Sequence, residues 1–255
     1  YGDGKFVTLS SESNGIGRYS TDGGVTWSSC TGVRNYSYRA MTYGNGLFVA
    51  VHQNENERPT ISTDGITWTE ATSNNSGRMN DVAYGNGVFI AVGQDQTFMR
   101  STDGNTWTRG SLPQGDYKGV AYGNGTWVAV AQVAQSGGNV YSTDNGNTWT
   151  AVSRPNGEFT GVTYADGKFI AVGSGGTYGV IYSENGINWF TAATVSEVAA
   201  NAIVYGGDKF AVVPFSTGDG YAQYSFTGTS LDAYNSTLTL AGTDNLDLFT
   251  VGDAI

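Results

Sequence analysis

Six of the eight arginines (Arg34, Arg39, Arg58, Arg78, Arg109 and Arg154) lie in variable stretches between recurring phrases, in a chain of formal net charge −10. Guanidinium groups gathered on one face of an acidic protein hold carboxylates or sulfates through paired N–H donors. Tyr36, Tyr38 and Tyr117 lie in or beside the same stretches, and a tyrosine face stacks on a sugar ring. These nine residues form the candidate ligand-binding set. Little other chemistry is available. His52 is the sole histidine and Cys30 the sole cysteine, so a histidine-bearing triad, a metal cluster and an intrachain disulfide all lack their parts. No Gly-x-Gly opens a helix to cradle a phosphate. No catalytic residue, cofactor or metal is expected, and the chain reads as non-enzymatic.

Composition narrows the partners. The negative charge repels a phosphate backbone, which argues against nucleic acid. No run of about 18 apolar residues exists to insert in a membrane. Only 13% of residues are charged, and 38 glycines and 16 tyrosines accompany abundant Asn, Thr and Ser. That is the composition of short strands and tight turns. The chain starts at Tyr1 with no leader pattern, so a processed product, an excised piece or part of a longer chain is expected.

The elements that position these side chains recur. A phrase close to Tyr-Gly-Asn-Gly-x-Phe-Val-Ala-Val has its aromatic at Phe6, Phe48, Phe89, Trp127, Phe169 and Phe210, spaced by 42, 41, 38, 42 and 41 residues. A second phrase, close to Ser-Thr-Asp-Gly-x-Thr-Trp, ends at Trp27, Trp68, Trp107, Trp149 and Trp189, with a decayed sixth copy at 225–231. Within residues 80–109, strand A is read at 81–84, B at 88–92, C at 97–102 and D at 106–108. Strand B is apolar on both faces, as in a sheet covered on both sides. The period and four strands per unit predict an all-β fold, a β-propeller of six four-stranded blades over residues 1–231, or seven if the chain continues upstream. Residues 232–255 are read as a closing strand or the start of a further β domain.

The second phrase resembles the Asp box, or BNR repeat, of sialidase-type propellers. Asp22, Asp64, Asp103 and Asp144 open its turns, and Asn185 replaces the acid in the fifth. The carboxylate is expected to accept backbone N–H groups of its own turn, and Trp27, Trp68, Trp107, Trp149 and Trp189 to wedge between blades. The resemblance marks a fold shared by sialidases, other glycosidases, receptors, photosystem assembly factors and phage tail proteins. A sialidase uses three arginines, a Tyr–Glu nucleophilic pair and an acid/base Asp. The early Arg-Ile-Pro phrase of that family is absent, and Arg58-Pro59 and Arg154-Pro155 are not equivalents.

Strand parity places both repeated turns on one face. The D–A and B–C loops, which vary, lie on the other, and function usually sits where loops vary on a rigid frame. The tail around Asn245–Asp253 resembles a motif of phage virion structural proteins. The expected function is a structural or binding propeller of a virion (tail, fibre or capsid appendage) or cell surface. It would contact other virion or surface proteins and host-surface glycan, in a virion or extracellular setting. A sialidase-like glycoside hydrolase and an assembly-factor scaffold are the alternatives.

Overall fold

Five Tyr-Gly-Asn-Gly-like phrases close two-residue hairpins because both central residues adopt positive φ. The pairs are Asp3-Gly4, Asn45-Gly46, Asn86-Gly87, Asn124-Gly125 and Asp166-Gly167, with φ between 45° and 79°. Turns of this hand match the twist of the flanking strands, and Asn, Asp and Gly tolerate them. The structure, a computed structural model, describes residues 1–227 except 13, 74, 114, 133–137, 175–178, 192–199, 207–208 and 215–223. The closing segment read at 232–255, the decayed turn after Thr227 and most or all of three B–C loops lie outside the described residues.

The hairpins build six antiparallel sheets among the described residues, each a meander of consecutive strands. The first blade holds Phe6–Leu9, Gly17–Ser20 and Ser28–Ser29. The second holds Tyr38–Gly44, Leu47–His52, Thr60–Ser62 and Thr69–Glu70. The third runs Met79–Gly85, Val88–Gly93, Thr97–Ser101 and Thr108–Ser111. The fourth runs Tyr117–Gly123, Thr126–Ala131, Asn139–Ser142 and Thr150–Val152. The fifth runs Glu158–Ala165, Lys168–Ser174, Val180–Ser183 and Phe190–Thr191. The sixth shows Ala200–Gly206, Lys209–Pro214 and Tyr224–Thr227. Four sheets thus have the expected four strands, while the first and last show three among the described residues.

Strand B is the core. Val49, Phe89, Ile90, Trp127, Val128 and Phe169 are fully buried. Neighbouring blades join through two repeated contacts. Gly2, Gly44, Gly85 and Gly123 lie directly beneath Tyr43, Tyr84, Tyr122 and Tyr164 of the next blade, leaving no room for a Cβ. Gly65, Gly104, Gly146 and Gly186 of the Ser-Thr-Asp turns press on Val7, Leu47, Ile90 and Val128 of the preceding blade.

The turns themselves are held by their acids. Asp103 Oδ1 accepts the N–H of Asn105 at 2.8 Å and of Thr106 at 2.7 Å, and Asp64 does the same for Ile66 and Thr67. Asn185 keeps both bonds with an amide oxygen, at 2.9 Å. This capture holds residues 105 and 106 in the turn, so strand D starts at Thr108, two residues later than expected from the sequence. Trp68, Trp107 and Trp189 are buried between blades and Trp149 is half-buried. Trp27 departs from the expected wedge: it is 43% exposed, because no described strand of a preceding blade covers it.

Candidate functional site

Strand A carries a β-bulge at the same place in every blade where it is described. Register shifts between Tyr38 and Ala40, Met79 and Asp81, Tyr117 and Gly119, Phe159 and Gly161, and Ala200 and Ala202. The bulged residues are Arg39, Asn80, Lys118, Thr160 and Asn201. A bulge re-aims a side chain. Arg39, Asn80, Lys118 and Thr160 all line one cavity of about 770 Å³ with Asp81, Gln53 and Gln132. The cavity is the central channel, and it lies where A strands begin and B strands end. That is the variable-loop face.

The rim is one hydrogen-bonded chain that crosses blades. Arg39 Nη2 donates to Gln53 Oε1 at 2.6 Å, and Gln53 Nε2 donates to Asn80 Oδ1 at 2.8 Å. Asn80 Nδ2 donates to Asp116 Oδ1 at 3.2 Å and to the Tyr117 carbonyl at 2.7 Å. Asp116 Oδ2 pairs with Lys118 Nζ at 2.8 Å. Further round, Gln132 Nε2 donates to Glu158 Oε2 at 3.3 Å.

Asp81 stands apart. Its place beyond the bulge is Ala40, Gly119, Gly161 or Ala202 in the other blades. Asp81 Oδ1 accepts the Val82 N–H and Oδ2 the Val120 N–H, each at 2.8 Å, so the carboxylate ties the third blade to the fourth. Part of its surface still faces the channel. Desolvation nevertheless dominates and pushes its pKa up to about 7, against the two N–H bonds that favour the anion.

The arginines and tyrosines expected to bind ligand do not converge as one cluster. Tyr36, Arg34 and Arg58 gather on the outer rim of the second blade. Tyr36 Oη bonds Glu57 Oε2 at 2.7 Å and also Glu70 Oε1. Arg34 and Arg58 both reach Glu70 Oε2 at 3.4 Å. Burial, then the bonds to Glu70 and Glu57, hold the Tyr36 phenol well above its ordinary range. Behind it, the His52 ring lies 4.4 Å from the Tyr36 ring. His52 Nδ1 accepts from the Asn54 N–H, so Nε2 donates to the Arg58 carbonyl at 2.9 Å. That neutral tautomer agrees with burial lowering its pKa. Here a Tyr–Glu pair and two arginines do meet, but the guanidinium groups are engaged by the protein's own carboxylate.

Other members of the expected set are buried or paired within the fold. Tyr38 and Tyr117 are buried as the first residues of strand A, with Tyr38 Oη against Thr60 Oγ1 and Tyr117 Oη donating to the Pro113 carbonyl. Arg154 is buried too: its Nη1 donates to the carbonyls of Pro155 and Gly157, its guanidinium lies 4.7 Å from the Phe159 ring centre, and burial lowers its pKa to about 10. These three side chains hold the fold and present nothing to a ligand. Arg78 pairs with Glu55 at 2.9 Å, and Arg109 bonds the Ser76 carbonyl and Thr97 Oγ1. Of the expected set, Arg39 alone lines the channel. Among the described residues, no group of His, Cys, Asp or Glu is placed to hold a metal, and no helix is long and apolar enough to cross a membrane.

A sequence-family model described as the DUF6242 beta propeller domain matches residues 3–214. The chain belongs to this family. No curated protein sequence matches it. Among solved structures, this DUF6242 propeller is similar to YCF48 bound to a D1 peptide, at 17% identity and a TM-score of 0.58, over 82% of this chain and 70% of that one. YCF48 from Cyanidioschyzon merolae matches at 17% identity and a TM-score of 0.55, over 78% of this chain and 70% of that one. A chain of a nidogen/laminin complex matches at 10% identity and a TM-score of 0.63, over 90% and 92% of the two chains. At such identities the likeness is one of fold. The DUF6242 match runs through all five described bulges, so the channel rim lies inside the family domain.

Proposed function

We propose that this propeller is a non-enzymatic binding module that receives a segment of a protein partner at its channel mouth. The observation that carries the reading is the gathering of the non-repeating polar side chains, Arg39, Asn80, Asp81, Lys118 and Thr160, onto one cavity by a repeated bulge. The frame repeats, and the residues aimed into its axis differ from blade to blade. Amides, hydroxyls and one rim of balanced charges suit the alternating donors and acceptors of an extended backbone. The fold neighbours support a partner of this class, since YCF48 was solved with a D1 peptide and nidogen with laminin.

The proposed setting is a virion or cell surface, supported by the acidic, lysine-poor composition and the tail resemblance. Contact with a host glycan is a lesser part of the proposal, because Tyr38 and Tyr117 offer no exposed stacking face. Selection of a displayed random-peptide library on the full chain, beside a glycan array, tests the ligand class. Enriched peptides that compete with one another for the channel are expected; glycan binding with no peptide enrichment would overturn the reading. Fluorogenic sialosides and aryl glycosides test the chemistry: no turnover is expected, and turnover lost in Tyr36→Phe would contradict a non-enzymatic module.

A further inference from the structure

We propose that the channel recognises a primary ammonium group on the bound segment, a lysine side chain or a free chain N-terminus, by pairing it with Asp81. The proposal rests on the reading of the channel as a peptide site and names the chemistry that site selects.

The repeat supplies the control. At the position after the bulge, four blades carry Ala40, Gly119, Gly161 and Ala202, and the third carries a carboxylate. A small residue therefore satisfies the fold at this point, and the acid is not required by the strand. Asp81 has no salt-bridge partner among the described residues. The two channel cations are taken elsewhere: Lys118 Nζ by Asp116 at 2.8 Å, and Arg39 Nη2 by Gln53 at 2.6 Å. Each Asp81 oxygen accepts a single backbone N–H, while an ionised carboxylate offers about four lone-pair sites. Acceptor capacity is left over on a group that lines the channel.

A desolvated carboxylate without a countercharge is costly, and a ligand cation that supplies one gains a charge-assisted bond in a partly dry site. Beside apolar Val120, Val162 and Ile203, the remaining polar lining of Gln53, Asn80, Gln132 and Thr160 is uncharged. It solvates the neighbouring peptide groups without competing for the cation. The cavity of about 770 Å³ falls within the range of sites that enclose a small ligand or short segment, about 300–1,000 Å³. The net charge of −10 favours the approach of a cationic ligand over an anionic one.

The test is an amide NMR titration of the full chain at pH 8 with three short Gly/Ser peptides. One is acetylated with a central lysine, one is acetylated with norleucine in its place, and one carries norleucine and a free N-terminus. The Val82 and Val120 amides, bonded to Asp81, report on the carboxylate. The Gln53, Asn80 and Gln132 side-chain amides report on the channel. An ammonium peptide is expected to shift Val82 and Val120 saturably and to bind about tenfold tighter than the acetylated norleucine peptide. The two ammonium arms separate a lysine ligand from an N-terminal one. Asp81→Asn and Asp81→Ala are expected to bring the ammonium peptide down to the norleucine level. Equal binding of ammonium and norleucine peptides in the channel would overturn the ammonium assignment and leave the peptide site standing. No shift of the Gln53, Asn80 and Gln132 amides with any peptide would overturn both. The wild-type comparison decides the matter even where an Asp81 variant does not fold.

Discussion

Trp107 and Trp27 occupy the same place in their turns and meet opposite surroundings. Trp107 is 1% exposed and shares one buried cluster with Val49 and Val51 of the preceding blade, whereas Trp27 is 43% exposed. Trp107→Ala is expected to lose about 3–5 kcal/mol of stability, and Trp27→Ala less than about 1 kcal/mol. Urea unfolding of both variants checks this, and equal losses would refute the inter-blade role. Asp81 has its own pH signature. It ionises near pH 7 in the fold against an ordinary 3.8, so between those values the folded chain holds a proton that the unfolded chain has released. Stability from this group is therefore fully present below about pH 4 and falls as pH rises to about 7. Asp22 and Asp144 act in the other direction. The Thr26 and Thr148 hydroxyl and backbone bonds lower them to about 2, so their contribution is present above 3.8 and lost as pH falls toward 2. The decline of the urea midpoint from pH 4 to 7 is expected to be shallower in Asp81→Ala than in wild type. Identical profiles would show that the carboxylate is not desolvated.

At the scale of elements, the joint between blades is a glycine under a tyrosine. Gly85 lies so close beneath the Tyr122 ring that a methyl group has no place. Gly85→Ala is expected to cost about 1–3 kcal/mol through overpacking, with part of that loss recovered in the Tyr122→Ala background as a non-additive pair. Full additivity in a double-mutant cycle of unfolding free energies would contradict the joint. Much of this level was legible in the sequence. The Asn-Gly pairs encode their hairpins through positive φ, and the doubly apolar strand B announces a sheet covered on both faces. The bulge was not legible, because one extra residue in Tyr38–Gly44 or Met79–Gly85 leaves no mark in composition. Without it, Arg39 and Lys118 had no reason to face the axis, and Asp81 read as an ordinary strand residue. In the sequence, Tyr38 and Tyr117 stand only at the edges of variable stretches. The signal for their burial lies in the repeat: Met79 and Phe159 hold the same position, large in four of the five described blades, with Ala200 in the fifth. Arginine count alone also misled, since a guanidinium is equally suited to its own protein's carbonyls and carboxylates, as Arg154 and Arg58 show.

For the whole molecule, the fold separates a repeating face from a variable one. The hairpins turn at Asn45, Asn86 and Asn124, and the acids at Asp64, Asp103 and Asp144 accept backbone N–H groups of their own turns. The opposite face carries the channel mouth, with its blade-specific residues and the inter-blade chain from Arg39 to Lys118. The proposed recognition site therefore lies at one end of the axis. The measurement that tests this most directly is the affinity of library-selected peptides for two single variants of the full chain. Thr160→Trp fills the channel wall, and Thr143→Trp adds the same bulk to an exposed turn on the other face. Loss of binding in Thr160→Trp with wild-type affinity in Thr143→Trp is the expected result. Binding that survives Thr160→Trp, or that is lost in Thr143→Trp, would contradict a recognition site at the channel.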